Sequence, residues 1–318
     1  MRFLLDCDPG HDDMLAILLA AQHLDVVAIT TVSGNQSLPK VTANALKILE
    51  LAGLQEIPVA AGLARPLVAE ARHAPEIHGE SGLDGAELPE PRRAPIEEHA
   101  IDVILQASRR HDDLVLVATG PLSNVAAALV RDPPLAQRLV EISLMGGSTA
   151  TGNATPAAEF NISCDPEAAD VVFRSGVPLR MFGLNVTHQV VATAVEVARI
   201  RELGGRLART VADLIEFVRA ANERVFGASG AALHDPLAVA TFIAPELIEL
   251  REMHVAVELH GALTRGMTVC DDRRRGRAGD RIAGREGVAR GAPPNCRVGV
   301  RADAPGFFDL LVETLARY

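Results

Sequence analysis

The chain has 318 residues, of which 48% are hydrophobic and 23% are charged, and its formal net charge is -10. This composition predicts a soluble globular protein with a substantial core, and the negative charge argues against general affinity for nucleic acids or anionic membranes. No apolar run approaches the roughly 20 residues that span a bilayer. Because Asp6 interrupts the short apolar run at the N-terminus, we expect no signal peptide and a cytoplasmic protein.

Apolar runs alternate with helical patterns through the first 183 residues. Predicted strands are the run before Asp6 and residues 26–32, 57–60, 114–118, 142–145 and 177–182. Predicted helices follow Asp13 and cover residues 39–51, 96–108 and 122–130. This alternation predicts an α/β fold with a mainly parallel central sheet that is covered on both faces.

Beyond about Ala192 the pattern changes, with long helical patterns to Phe226 and a helix after Asp235-Pro236. Strands are predicted near 253–259, 267–269 and 297–300, and a last helix at 307–317. Since neither a repeat nor a linker is evident, we expect one domain over residues 1–318.

Two segments are predicted to be mobile loops. Residues 73–95 are rich in Pro, Gly and Glu and contain His78, which is typical of an active-site lid. Residues 271–290 are rich in Arg and Gly, which favours a solvated hairpin loop over a phosphate-binding patch.

Four aspartates lie in the turn between the first strand and the first helix, in Asp6-Cys-Asp8-Pro-Gly-His-Asp12-Asp13. This turn lies at the carboxyl edge of the sheet, where ligands bind in open α/β folds. Carboxylates this close repel one another unless a cation lies among them, and oxygen ligands suit Ca²⁺ or Mg²⁺. An acidic helix cap would need one acid rather than four, so we expect a metal site.

Further polar motifs follow the other strands and are expected at the same edge. They are Ser33-Gly-Asn35, Thr119-Gly-Pro-Leu-Ser-Asn124, Met145-Gly-Gly147, Gly152-Asn153, Ala158-Glu-Phe-Asn161 and His234-Asp-Pro236. Each alone could be a turn or a helix cap, but their shared location favours one site. The four cysteines have no metal-site spacing, and Cys7 is expected to be a small buried strand residue.

The DxDPGxDD turn and these motifs, in this order, resemble the nucleoside hydrolases, also called inosine–uridine-preferring nucleoside hydrolases. The resemblance extends over nearly the whole chain. It implies a Rossmann-like open α/β fold with additional C-terminal helices and strands, and family members are commonly homodimers or homotetramers.

The resemblance also implies residue roles in calcium-dependent hydrolysis of ribonucleosides. Asp12 would be the general base for a metal-bound water, and Met145 would pack on the sugar. The Ca²⁺ ligands would be Asp8, Asp13, the Thr119 carbonyl and Asp235, together with two ribose hydroxyls and a water. The ribose would be held by Asn35, Asn153, Glu159 and Asn161.

The leaving base needs a proton or a hydrogen bond, for which His234 and His78 are both candidates. The chain has no Trp, and it has a His directly before Asp235. In this it resembles the family group that takes pyrimidine or mixed nucleosides, such as uridine, cytidine or inosine. Asn222 and Phe226 on the preceding helix would face the base, and base preference stays open.

Two other functions are weighed against this one. Asp6-Cys-Asp8 also resembles the DxD of haloacid-dehalogenase-like magnesium phosphatases, but their chemistry needs a cation near the phosphoryl group, and both lysines lie in the helix after Asn35. A non-catalytic nucleoside-binding protein would have no need of Asp12 beside the metal ligands.

Overall fold

The computed structural model describes residues 1–272 and 292–318, except for the side chain of Phe226. Most of the arginine-rich segment 271–290 therefore lies outside the described residues. Within the described ranges, every helix is too short or too polar to cross a bilayer.

Nine strands of the described chain form one sheet, in the order β10-β9-β11-β6-β5-β4-β1-β2-β3. The strands are β1 (Arg2–Cys7), β2 (Asp25–Thr31), β3 (Val59–Ala61), β4 (Leu114–Ala118), β5 (Glu141–Met145), β6 (Leu179–Phe182), β7 (Val191–Ala192), β8 (Ala231–Ala232), β9 (Ile248–Val257), β10 (Thr268–Asp271) and β11 (Cys296–Ala302). In this sheet β9 runs antiparallel to both of its neighbours, β10 and β11, and the other neighbouring strands pair in parallel. The prediction of a mainly parallel sheet is confirmed.

Helices cover both faces of the sheet. They are α1 (His11–His23), α2 (Leu38–Ala52), α3 (Pro75–His78), α4 (Ala100–Arg110), α5 (Ser123–Arg131), α6 (Leu135–Arg138), α7 (Phe160–Cys164), α8 (Pro166–Phe173), α9 (Leu184–Thr187), α10 (Ala194–Glu202), α11 (Gly205–Phe226), α12 (Pro236–Ile243) and α13 (Ala304–Leu315).

Several element boundaries differ from the sequence prediction. The helix predicted from residue 96 begins at Ala100, because Ile96 instead donates a backbone hydrogen bond to Val59 at the edge of the sheet. The helical pattern that ends at Phe226 is two helices, α10 and α11, separated at Gly204, whose φ of 72° suits glycine. The strand predicted near 253–259 begins earlier, at Ile248.

The core consists of two apolar layers, one on each face of the sheet. Because side chains alternate along a strand, Val115 and Val117 of β4 join one layer while Leu114 and Leu116 join the other. Most of helix α1 is buried, and it packs against α12 in the first layer. The N-terminal end of α1 is thereby fixed to the centre of the protein.

The strand order reverses direction at β1. The chain passes from β1 to β2 and β3 on one side, and then returns to place β4 on the other side of β1. Ligands bind in α/β sheets at such a switch point, beyond the carboxyl ends of the strands. The turn that carries Asp8, Asp12 and Asp13 lies at this point.

Candidate active site

A cavity of about 390 Å³ opens beyond the carboxyl ends of β1, β4 and β5. Most of the side chains predicted to form the site line it: Asp12, Asn35, His78, Thr119, Met145, Asn153, Glu159, Asn161, Asn222, His234 and Asp235. The chain therefore brings together residues that are more than 200 positions apart.

Three carboxylates converge beside this cavity, and two of them, Asp12 and Asp235, line it. Asp12, Asp13 and Asp235 each offer an oxygen that lies within 4.8 Å of the others. Asp13 is fully buried, and its Oδ1 accepts a hydrogen bond from the Thr119 hydroxyl at 2.8 Å while its Oδ2 accepts one from the Gly10 backbone N–H at 3.0 Å. The first turn of α1 thus fixes the position of Asp13.

Burial and the charges of neighbouring carboxylates disfavour the charged forms of Asp13 and Asp235. Burial, followed by the charge of Asp12, raises the pKa of Asp13 to about 6. Burial also raises the pKa of Asp235 well above its usual range, with Asp12 and Asp13 adding to the shift. A cation among the carboxylates would reverse both effects.

Asp8 lies beside this cluster and is also buried. Its Oδ2 accepts a hydrogen bond from the Asn35 backbone N–H at 2.6 Å, whereas its Oδ1 has no hydrogen-bond partner among the described residues. Burial, followed by the charge of Asp13, raises the pKa of Asp8 well above its usual range. An unpaired buried carboxylate oxygen beside further carboxylates fits a hard divalent cation.

The backbone around Asp8 is closely packed. A Cβ on Gly34 would lie 2.0 Å from Asp8 Oδ2, so only glycine leaves room for the carboxylate. The Asn35 side chain donates to the Asp8 carbonyl at 3.2 Å and to Asp13 Oδ2 at 3.3 Å. Asn35, predicted to bind ribose, thus also holds two of the acids.

The remaining predicted metal ligand is the Thr119 carbonyl. It accepts a hydrogen bond from the Asn161 amide at 2.7 Å, which leaves its second lone pair for a cation. Asp6, by contrast, is separate from the converging acids: its Oδ1 accepts hydrogen bonds from the Thr30 hydroxyl at 2.6 Å and the Asn124 amide at 2.8 Å. Asp6, the first aspartate of the motif, therefore links β1 to β2 through its hydrogen bond with Thr30.

Glu159 and Asn153 make local contacts in addition to lining the cavity. Glu159 caps α7, with Oε1 accepting from the Asn161 N–H and Oε2 accepting from the N–H groups of Gly147 and Ile162. The Asn153 side chain accepts from the Phe160 N–H at 2.9 Å. A sugar hydroxyl would have to use the lone pairs and N–H groups that these contacts leave.

Helix α11 supplies an apolar wall on another side of the cavity, through Ile215, Val218 and Val225. Asn222 is a polar residue in this wall, and its side-chain amide donates to the Gly230 carbonyl at 3.1 Å. The predicted contact of Phe226 with a base lies outside the described residues. The wall suits a flat, partly apolar group such as a nucleobase.

Two histidines line the cavity as predicted. His234 Nδ1 lies 2.7 Å from the Thr187 hydroxyl, and its backbone N–H donates to Asp12 Oδ2 at 3.3 Å. Burial lowers the pKa of His234 to about 4, against the opposing effect of Asp12. Burial also lowers the pKa of His78.

Sequence reasoning missed His11, which lies inside the aspartate motif and also lines the cavity. Its Nδ1 lies 3.1 Å from Nδ1 of His78. The sequence did indicate a functional position, because His11 is the titratable residue between Asp8 and Asp12 and had no assigned role.

Comparison with known proteins gives a consistent result. The family model described as inosine-uridine preferring nucleoside hydrolase matches residues 3–309. A pyrimidine-specific ribonucleoside hydrolase of Citrobacter koseri is 44% identical over 99% of this chain and 98% of its own, and one of Shewanella oneidensis is 42% identical over 99% and 96%. The structure of a purine-preferring ribonucleoside hydrolase from Gardnerella vaginalis superposes with a TM-score of 0.89, at 33% identity, and covers 100% of this chain and 98% of its own.

Proposed function

Because this chain belongs to the inosine-uridine preferring nucleoside hydrolase family, we propose that it hydrolyses the N-glycosidic bond of pyrimidine ribonucleosides, with inosine as a further candidate substrate. As a member of that family it is a hydrolase that acts on N-glycosyl compounds. The observation that carries the proposal is the convergence of Asp12, Asp13 and Asp235 beside a cavity with an apolar wall.

The preference for pyrimidines is supported by the names of the relatives that are more than 40% identical. It is also supported by His234, which precedes Asp235 in a chain without Trp. A base would lie between the apolar wall of α11 and the side chains of His78 and His234.

The proposed cofactor is Ca²⁺, held by the carboxylates of Asp8, Asp13 and Asp235 and by the Thr119 carbonyl. The unpaired Oδ1 of Asp8 and the raised pKa values of the three acids support this ligand set. When bound, the cation supplies positive charge that orients the ribose diol and makes a coordinated water more acidic.

Asp12 is proposed as the general base. It is less buried than Asp13, it lines the cavity, and the His234 N–H fixes one of its oxygens. In the reaction a water oxygen bonds to C1′ of the ribose and gives a proton to Asp12. The C–N bond breaks with its electron pair going to the base, which takes a proton from a histidine or from solvent.

Asn35, Asn153, Glu159 and Asn161 are proposed to bind the ribose hydroxyls, and Met145 to pack on the sugar. All five residues line the cavity beside the acids. Carboxylate and amide oxygens here would also stabilise the positive charge that develops on the sugar ring in an oxocarbenium-like transition state.

The test is ribose release from uridine, cytidine and inosine, measured before and after removal of divalent cations. We expect release that requires Ca²⁺. Binding of uridine without release would favour a non-catalytic nucleoside-binding protein, and turnover of p-nitrophenyl phosphate with Mg²⁺ in place of nucleosides would favour a phosphatase.

A cytoplasmic location and a homodimeric or homotetrameric assembly are also proposed. The assembly state is tested by light scattering of the purified protein, and a monomer would contradict the proposal.

A further inference from the structure

His11 is a buried residue whose ring stacks on one aromatic side chain and whose two ring nitrogens each have a polar neighbour. The ring stacks on Phe217, with centroids 5.4 Å apart and an interplanar angle of 2°. Its Nε2 lies 2.8 Å from the Asp84 backbone oxygen, and its Nδ1 lies 3.1 Å from Nδ1 of His78. Both distances are within hydrogen-bond range.

These contacts determine where the ring hydrogens of His11 are. A backbone carbonyl can only accept, so Nε2 of His11 carries a hydrogen and donates to Asp84. The ring is buried, and its two nitrogens contact a carbonyl and an imidazole rather than a carboxylate, contacts that a neutral ring satisfies. A neutral imidazole with a hydrogen on Nε2 has a free lone pair on Nδ1.

The position of the His78 hydrogen follows from that lone pair. One hydrogen fits between the two facing Nδ1 atoms, so it belongs to His78, and His78 donates to His11. Among residues 1–272 and 292–318, Nε2 of His78 has no hydrogen-bond partner, and this ring lines the cavity. Nε2 is therefore the nitrogen available to a ligand.

The surrounding chain is built to allow this contact. A Cβ on Gly10 would lie 2.6 Å from His78 Nδ1, so glycine at this position lets the His78 ring approach α1. The Asp84 side chain accepts hydrogen bonds from the backbone N–H groups of Glu80 and Ser81. These bonds hold the turn that presents the Asp84 carbonyl to His11.

We propose that His11 is a positioning residue that confines proton exchange of His78 to Nε2, the nitrogen left to the cavity. Nδ1 of His78 keeps its hydrogen, bonded to His11, in both the neutral and the cationic form. The cationic form passes its Nε2 proton to a nitrogen of the leaving base as the C–N bond breaks and the electron pair moves to the base. This inference rests on the proposed function, in which His78 faces the base.

A matched pair of substitutions separates this role from simple anchoring of the loop. In His11→Asn the side-chain oxygen lies near the original Nδ1, so it keeps an acceptor for His78 and loses the contact with Asp84. In His11→Gln the amide reaches the original Nε2 position, so it keeps the Asp84 contact and loses the acceptor.

Activity is measured as kcat/KM on calcium-loaded enzyme with uridine and with p-nitrophenyl riboside, whose leaving group needs no proton. We expect His11→Gln to lower the value for uridine about tenfold or more relative to that for p-nitrophenyl riboside, and His11→Asn to change this ratio less than about threefold. Equal changes in the two variants, an equal loss on both substrates, or no loss in either variant would overturn the proposal.

A second measurement needs neither of the His11 variants and no activity assay. Nitrogen-15 NMR of histidine-labelled, calcium-loaded wild-type protein reports the tautomer of each ring, and His78→Asn identifies the His78 signals by their loss. We expect the tautomer of His78 with hydrogen on Nδ1. Hydrogen on Nε2 would overturn the proposal, whereas wild-type protein that releases no ribose from any nucleoside would overturn the proposed function alone.

Discussion

Competition between protons and calcium gives a quantitative test of the metal site. Burial and the charge of Asp12 raise the pKa of Asp13 to about 6, and Asp8 and Asp235 are shifted in the same direction. Since calcium binds the ionised form, protonation of Asp13 alone should weaken calcium binding about tenfold at pH 5 relative to pH 7. A carboxyl with its usual pKa would change the affinity by less than about twofold over the same range.

The measurement is calorimetric titration of metal-free protein with CaCl₂ at several pH values between about 5 and 8. His11 and His234 stay neutral through this range, because burial lowers the pKa of each to about 4. We expect the dissociation constant to rise at least about tenfold as the pH falls from 7 to 5, with protons released on binding. A dissociation constant that changes less than twofold would refute the assignment of Asp13 as a buried ligand.

Four further predictions concern individual groups. Asp12→Asn should lower kcat by about 10²–10⁴ with calcium still bound. The control Asp102→Asn, on the surface of α4, should leave kcat unchanged, and loss of calcium by Asp12→Asn would contradict the role of Asp12 as the base. Because polar groups left unpaired are costly, 2′-deoxyuridine should show a kcat/KM at least about 10²-fold below that of uridine, and comparable values would exclude recognition of the 2′-hydroxyl. His234→Ala should slow uridine by about 10² but barely affect p-nitrophenyl riboside, and an equal loss on both would mean that His234 only supports Asp235. Gly34→Ala should weaken calcium binding, since its Cβ would lie 2.0 Å from Asp8 Oδ2, and unchanged affinity would argue against Asp8 as a ligand.

Strong local patterns made much of the fold predictable. The continuous apolar run at residues 114–118 predicted β4 at its observed bounds, because it is too short for a typical helix and lies between turn residues. The strand-turn-helix at Asp8–Asp13 placed the acids at the carboxyl edge for the same reason. The antiparallel direction of β9 was not predictable, since a strand pattern carries no information about the direction of its neighbours.

Contacts between segments that are distant in the chain could not be predicted from the sequence. The partnership of His11 with His78 joins positions 67 residues apart through a loop that the sequence predicted to be mobile. Glu159 was assigned to ribose alone, yet its carboxylate also caps α7, because the residues after it fold into a short helix whose N–H groups need acceptors. The roles assigned to the site residues stay predictions until the variants are measured.

The acids and the walls of the cavity belong to different parts of the fold, so a substitution in one part need not disturb the other. Asp12 and Asp13 lie on α1, in the middle of the core, where almost any substitution disturbs packing. Another wall comes from one side of α11 and from Arg72, His73, Ala74, Glu76 and Ile77. Substitutions in that wall can therefore change the shape offered to a base while the acids on α1 keep their positions.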